Sequence, residues 1–342
     1  MAAIIGHEAL RRALRSIAAM EEPPHALLLA GPARTGRTLL ALELAGLLNC
    51  EAPDFDERPC NECRACRLIT ERNHPDVLHL EPGDSFCRGG GGHQPHPGSR
   101  DIRICQVRGL IESVSRYPFE GRFRVLVIEP ADRMGLEAAN TLLKTLEEPP
   151  PATVLILVTA APENLLETIR SRCRTLAVSL VPDDAIGEGL RERGFPPEIA
   201  DRAAAESRRR PADALAFAEQ PDLMDDRGRL LDRCAELAGA RASERMTYAG
   251  DLAERWRRDR ELVLTELDVW ETFWEGRLRA GAGAENGARD ALDALRAVAD
   301  ARRDLEAQVV ARMALELMLL RFPAVTLAAE GAPAPSRNEN EP

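Results

Sequence analysis

Four cysteines and one glycine-containing loop are the parts of this sequence whose residue types and spacing promise chemistry. Nine residues separate Cys50 from Cys60, and two separate Cys60 from Cys63 and Cys63 from Cys66. Four thiolates so spaced suit a tetrahedral zinc ion, and with no histidine and no open position among them the metal would be structural rather than catalytic. Three other readings stand beside it. Reduced structural thiols need a core to enter, which a segment holding Asp54, Asp56, Glu57 and Arg58 does not offer. An iron–sulfur cluster more typically has a further cysteine soon after Cys66, where Thr70 stands. A disulfide framework belongs to oxidising compartments. Cys87, Cys105, Cys173 and Cys234 are scattered and read as ordinary thiols.

The loop is Gly31-Pro-Ala-Arg-Thr-Gly-Arg-Thr38. A working phosphate loop rings the anion with backbone N–H groups, uses small residues for close approach, and supplies a lysine to the phosphates and a hydroxyl to magnesium. Gly31, Gly36 and Thr38 are in place, but Arg34 stands where many such loops have glycine and Arg37 replaces the lysine. Lys144 is the only lysine in the chain. That bias makes Arg37 less surprising as drift and more telling as chemistry, because a broad planar guanidinium does not substitute for a compact ammonium. Two readings stay open: a strand–turn–helix connection kept for folding, and a loop with residual nucleotide binding.

Farther along, Val125–Ile128 runs into Glu129, Pro130, Ala131 and Asp132, where a magnesium-holding aspartate and a water-activating glutamate would be sought. Glu129 takes the first place and proline the second. Proline offers no general base, so Arg37 and Pro130 are two independent defects in one reaction. The expectation is a chain without ATPase activity of its own.

The elements that must position these residues are legible as apolar runs. Short strands are expected at Leu27–Leu29, Val77–Leu80, Phe123–Ile128 and Val154–Thr159, and Leu39–Leu48 repeats at helical spacing. Their alternation with helical stretches predicts a mostly parallel sheet with helices on both faces. After Val181 only helical periodicity remains. The expected organisation is an α/β domain over 1–180 with a cysteine module at about 50–66, a small helical domain over 181–222, a larger one over 223–328 and a disordered tail over 329–342. Gly89–Gly92 with His93, Pro95, His96 and Pro97 reads as a low-complexity surface loop within 83–100. Cys87 and the two histidines invite a second metal site there but lack regular ligand spacing.

With 342 residues the chain suits two or three domains, and its net charge of −11 argues against coating nucleic acid unaided. No apolar run approaches the roughly 20 residues of a membrane span, and the start reads as an amphipathic helix rather than a secretory signal. A cytoplasmic location is expected.

Several strings are similar to one family. They are Ile4-Ile5-Gly6-His7, Pro24-His25-Ala26, the cysteine quartet, Tyr117-Pro118-Phe119-Glu120-Gly121, Ala138-Ala139-Asn140, Leu142 to Pro150, and Thr168-Ile169-Arg170-Ser171-Arg172-Cys173. They are spread through the first 180 residues, nearly all of which the resemblance covers, and they resemble the delta-prime subunits of the bacterial DNA polymerase III clamp loader, AAA+ proteins related to the gamma/tau ATPase subunits. That resemblance implies an AAA+ domain carrying a zinc module, a lid and a C-terminal collar. It also implies that Arg172 is an arginine finger for ATP held by a neighbouring subunit. The local alternative for Arg172 is a helix cap or an ion pair with a nearby acid.

The ATP-binding relatives carry a phosphate-sensing arginine before an Ala-Leu pair in the lid. In Arg208-Arg209-Arg210-Pro211-Ala212-Asp213-Ala214-Leu215 the corresponding position is Ala212 or Asp213, a third departure that favours delta-prime over gamma/tau. The three arginines read first as a solvated helix start, with a DNA-facing patch or displaced sensor as alternatives. Leu267, Trp270, Phe273 and Trp274, and Met313, Leu317 and Leu320, lie at helical spacing as core or interface. Ala311 to Glu316 weakly resembles the last collar helix.

The leading expectation is a non-catalytic stator that contacts gamma/tau and delta subunits and helps place the sliding clamp on primed DNA. Its cofactor set is zinc at Cys50, Cys60, Cys63 and Cys66, with ATP binding at Gly31, Gly36, Arg37, Thr38 and Glu129 degenerate. The competing readings are an active gamma/tau-type ATPase and a zinc-dependent nucleic-acid-binding module.

Overall fold

A computed structural model of the chain describes residues 4–83, 86–87, 96, 98–113, 117–280, 285–306 and 309–323. Most of the low-complexity stretch, and the tail from Gly331, lie outside the described residues. The chain divides into two compact units, Met1–Pro221 and Asp222–Pro342.

The first unit is built on a five-stranded parallel sheet in the order β2-β3-β4-β1-β5. The strands are β1 (Ala26–Ala30), β2 (Val77–Leu80), β3 (Arg124–Ile128), β4 (Thr153–Thr159) and β5 (Arg174–Ala177). The helices are α1 (Glu8–Ala18), α2 (Arg37–Asn49), α3 (Arg64–Thr70), α4 (Ile104–Ser113), α5 (Leu136–Glu147), α6 (Glu167–Arg170), α7 (Asp183–Glu192), α8 (Pro197–Glu206) and α9 (Pro211–Glu219).

Successive strand residues face opposite sides, and both sides are covered, which is why β1, β3 and β4 are continuous apolar runs. Leu27, Leu29, Val125, Val127, Val154, Ile156 and Val158 pack with α1, α2 and α3. Leu28, Leu126, Ile128, Leu155 and Leu157 pack with α4 and α5 on the other side. The mostly parallel sheet with helices on both faces is therefore the architecture found. The addition is β5, an edge strand whose Arg174-Thr-Leu-Ala sequence has too little apolar periodicity to be read in advance.

A buried carboxylate fixes the turn that feeds β3. Asp76, fully buried just before β2, accepts backbone N–H bonds from Phe119 (2.7 Å), Glu120 (2.8 Å) and Gly121 (2.8 Å), and one from Arg124 Nη2 at 2.9 Å. Burial pushes its pKa up, but the three N–H donors and the guanidinium outweigh this and hold it below the usual carboxylate range. The Tyr117–Gly121 string is thus legible as the segment that wraps Asp76.

The second unit comprises α10 (Asp222–Gly239), α11 (Ala242–Arg258), α12 (Arg260–Ala280), α13 (Glu285–Glu306) and α14 (Ala311–Leu320). Trp270 and Trp274 are fully buried and meet the Phe322 ring at centroid distances of 4.8 and 5.2 Å. Buried Arg245 donates to the carbonyls of Leu237 (3.0 Å) and Ala238 (2.6 Å) near the end of α10. It also donates to Leu319 (3.3 Å) and Phe322 (2.6 Å) around the end of α14. One guanidinium so adds donors at the ends of two helices, where the Leu237 and Leu319 carbonyls also accept backbone N–H bonds from Ala240 and Phe322. Helix α14 sorts its apolar residues: Ala314, Leu315, Met318 and Leu319 are buried, whereas Met313, Leu317 and Leu320 are 67%, 46% and 51% exposed. Of the core and interface readings of those three, core is excluded within this chain. No helix among the described residues is long and apolar enough to cross a membrane.

Candidate functional site

The four cysteines converge at the end of α2 and the start of α3. Cys50 is the C-cap of α2 and Cys63 the N-cap of α3, with Cys66 in that helix's first turn. Their four sulfur atoms lie within 4.8 Å of one another, and Cys50 Sγ to Cys63 Sγ is 4.0 Å. Backbone N–H groups point at the sulfurs: Ala52 and Cys60 at Cys50, Cys63 at Cys60, and Cys66 at Cys63, all at 3.4 Å. Such donors stabilise thiolates, and those of Cys63 and Glu62 bring the Cys60 pKa down to about 7, while burial pushes Cys50 and Cys66 up. A thiolate-preferring divalent ion fits this donor set, and the cluster could hold a metal ion as an all-sulfur site. Arg15 from α1 anchors the module by donating to the carbonyls of Phe55 (3.2 Å), Asp56 (3.0 Å) and Arg58.

The loop Gly31–Thr38 joins β1 to α2 at the sheet edge where the strands end. Gly31 is required by packing, because a Cβ there would sit 1.9 Å from the Val178 carbonyl oxygen. The polar groups of the loop find partners within the chain. Arg37 Nη1 donates to the Gly31 carbonyl at 3.0 Å, and Thr38 Oγ1 donates to both Glu129 oxygens at 2.8 and 2.7 Å. Burial lowers the Arg37 pKa and raises that of Glu129. His7 Nε2 contacts the Thr35 carbonyl at 2.8 Å, which ties the Ile4–His7 string to the loop. At the end of β4, Thr159 Oγ1 donates to Asp132.

The helices after the sheet reach back onto this loop. Arg34 pairs through Nε with Asp213, and the Ala212 N–H donates to the Arg34 carbonyl at 3.1 Å. Both positions at which a sensor arginine would be sought therefore contact the loop, and neither carries a guanidinium. Arg208 and Arg209 adopt left-handed backbone conformations, φ 55° and 64°, and turn the chain between α8 and α9. Arg210 is the N-cap of α9.

Arg172 lies at the opposite edge of the sheet. It follows α6 and precedes β5, and β5 runs parallel to β1 with Leu27 opposite Arg174 and Ala30 opposite Ala177. The loop leaves the far end of β1. The four residues of β5, at about 3.3 Å each, put roughly 13 Å of strand between the two edges, well beyond an arginine side chain. The exposed Arg172 guanidinium pairs with Glu147 at 2.7 Å and donates to the Thr168 carbonyl at 3.0 Å. Glu147 ends α5, whose last turn also carries the exposed Lys144. The helix cap and the ion pair with an acid that the sequence offers as the local reading of Arg172 are both formed, with Glu147 the acid, whereas the pairing of Asp213 with Arg34 is not readable in advance.

A family model described as DNA polymerase III, delta subunit, matches residues 6–181, just over half of the 342 residues. The delta' subunit of DNA polymerase III from Pseudomonas aeruginosa is 40% identical over 177 residues, 52% of this chain and 49% of that protein. The Bacillus subtilis delta' subunit is 33% identical over 207 residues, 60% of this chain and 57% of its own length. The B. subtilis tau subunit is 32% identical over 183 residues, 54% of this chain and 30% of that protein. The chain thus spans about half the length of the delta' relatives it matches. From the matched model and the delta' relatives, the chain belongs to the DNA polymerase III delta-subunit family, on its delta-prime branch.

Proposed function

We propose that this chain is a non-hydrolysing, stator-type subunit of a bacterial clamp loader, working in the cytoplasm with gamma/tau and delta subunits to place a sliding clamp on primed DNA. On this reading Met1–Pro221 holds the AAA+ core and lid, Asp222–Pro342 is the collar, and zinc occupies Cys50, Cys60, Cys63 and Cys66. Arg172 is a finger that acts on ATP bound by the neighbouring subunit.

The observation that carries the reading is the separation of Arg172 from the chain's own phosphate loop along the strands, at opposite ends of the adjacent β1 and β5. A guanidinium at that edge cannot serve its own loop and is available to another subunit. In a neighbour's site it would neutralise charge developing on the transferring phosphate, an effect of about 10³–10⁵ in rate in other systems. The loop itself supports the same conclusion: Arg37, Thr38 and Arg34 are committed to Gly31, Glu129 and Asp213, and Pro130 leaves no general base. The exposed Met313, Leu317 and Leu320 row on α14 supplies an apolar face for collar contacts.

The test is reconstitution with gamma/tau and delta subunits, comparing clamp loading by native protein and Arg172→Ala. Loading is expected to fall with the variant while its melting temperature stays unchanged. Full loading by Arg172→Ala would remove the finger assignment.

A further inference from the structure

We propose a second transition-metal site in this chain, formed by Cys87, His96 and Cys105 and suited to Zn²⁺. One ligand atom from each residue lies within 4.8 Å of the others. The three come from different places: Cys87 from the segment after β2, His96 from the same connection nine residues later, and Cys105 from the first turn of α4. Convergence of two thiols and an imidazole from such separated positions requires the backbone to be brought in close.

One glycine allows it. Gly109 lies one turn after Cys105 on the same face of α4, and a Cβ at Gly109 would fall 2.0 Å from the Phe86 carbonyl oxygen. Only a residue without a side chain lets the Phe86–Cys87 backbone lie this close to the helix. Phe86 itself takes a left-handed conformation, φ 61°, in doing so. Cys87 Sγ then stands 3.7 Å from Cys105 Sγ. Two sulfurs each about 2.3 Å from a tetrahedral zinc ion lie about 3.8 Å apart, so the pair is already set at the edge of such a coordination shell. Among the described residues the four-cysteine cluster shows the same kind of spacing, with 4.0 Å between Cys50 and Cys63.

Two of the three ligands, His96 and Cys105, line a cleft of about 380 Å³ together with Asp101 and Glu137 among others. Three protein ligands leave one position of a four-coordinate shell for a further group. The site ties the residues after β2 to the first turn of α4, a connection that includes Ile102, itself bonded to the Met134 stretch through Arg133 and Gly135. Its gaps of eight residues on either side of His96 fall outside the short repeats by which zinc sites are read from sequence. Its position in the sequence alone gives Cys105 the look of an ordinary thiol.

The experiment measures zinc and cobalt bound per chain by the full-length protein in the presence of reductant. Two equivalents are expected for the native chain, and one for each of Cys60→Ser, Cys105→Ser and His96→Ala. Retention of the all-sulfur cobalt spectrum by Cys105→Ser and His96→Ala shows that those variants are folded. His96→Ala alters an imidazole outside the helix and so separates metal loss from disruption of α4. A single equivalent in the native protein, kept by Cys105→Ser and His96→Ala and lost in Cys60→Ser, would overturn the second site while leaving the first intact.

Discussion

The two edges of the sheet in the first unit carry opposite kinds of polar group. At the edge where the strands end, every named side chain of the phosphate loop is bound to another part of the same chain: Arg37 to Gly31, Thr38 to Glu129 and Arg34 to Asp213. At the edge where they begin, the Arg172 guanidinium is exposed and held by Glu147, itself 51% exposed. An inward-committed site stabilises its own fold, whereas an exposed guanidinium on a short tether is available to something outside. On the proposed reading, the same architecture separates a degenerate nucleotide loop from a guanidinium offered to a neighbouring subunit.

The frame common to both edges is the place to break this comparison most severely. Asp76→Asn removes the charge that balances Arg124, whose side chain is only 8% exposed. Stripping one partner from a buried pair costs about 3–5 kcal/mol, so chemical denaturation should show a loss of that order. The pH dependence follows from the depressed pKa of Asp76. Its contribution is complete above the unfolded carboxylate range of about 4 and is lost as pH falls through the lower folded value. Wild-type stability should therefore drop more steeply below about pH 4 than that of Asp76→Asn.

A smaller effect sharpens the finger edge. The exposed Arg172–Glu147 pair is worth at most about 1 kcal/mol and must open before the guanidinium reaches a neighbour. Glu147→Ala should leave the melting temperature unchanged and raise stimulation of a partner ATPase by up to about fivefold, the equivalent of that energy. A collapse of stimulation to the Arg172→Ala level would mean that Glu147 positions the finger rather than restraining it.

The least disruptive change addresses the loop edge. Asp213→Ala unpairs Arg34, an exposed side chain, and should cost no more than about 1 kcal/mol in thermal unfolding. It should not confer ATP binding, because Arg37 and Pro130 are untouched. Tight nucleotide binding by Asp213→Ala would show that the lid contact, rather than the loop chemistry, is what closes the site.

The sequence revealed what depends on local pattern. The strands buried on both faces announce themselves as apolar runs, and the two-residue gaps among Cys60, Cys63 and Cys66 identify a cluster that could hold a metal ion because one short segment supplies three of its four cysteines. Strand β5 was hidden because an edge strand with residues Arg174 and Thr175 carries almost no hydrophobic periodicity. The partners Asp213, 179 residues from Arg34, and Glu147 were hidden because only the folded chain decides which acid meets which arginine. Cys105 was hidden for the same reason, since a helix and a distant loop meet only through the gap at Gly109. On α14 the helical repeat identified apolar residues but not their direction; the fold sends Leu315 and Met318 inward and Met313 and Leu317 outward.

The most direct test of the central claim is ATP turnover measured twice, with the purified chain alone and with the chain added to a gamma/tau partner. The account predicts no turnover above background for the chain alone, with Arg37→Lys equally inactive, and a faster partner reaction that depends on Arg172. Sustained hydrolysis by the isolated chain would contradict it, as would stimulation of the partner that survives Arg172→Ala undiminished.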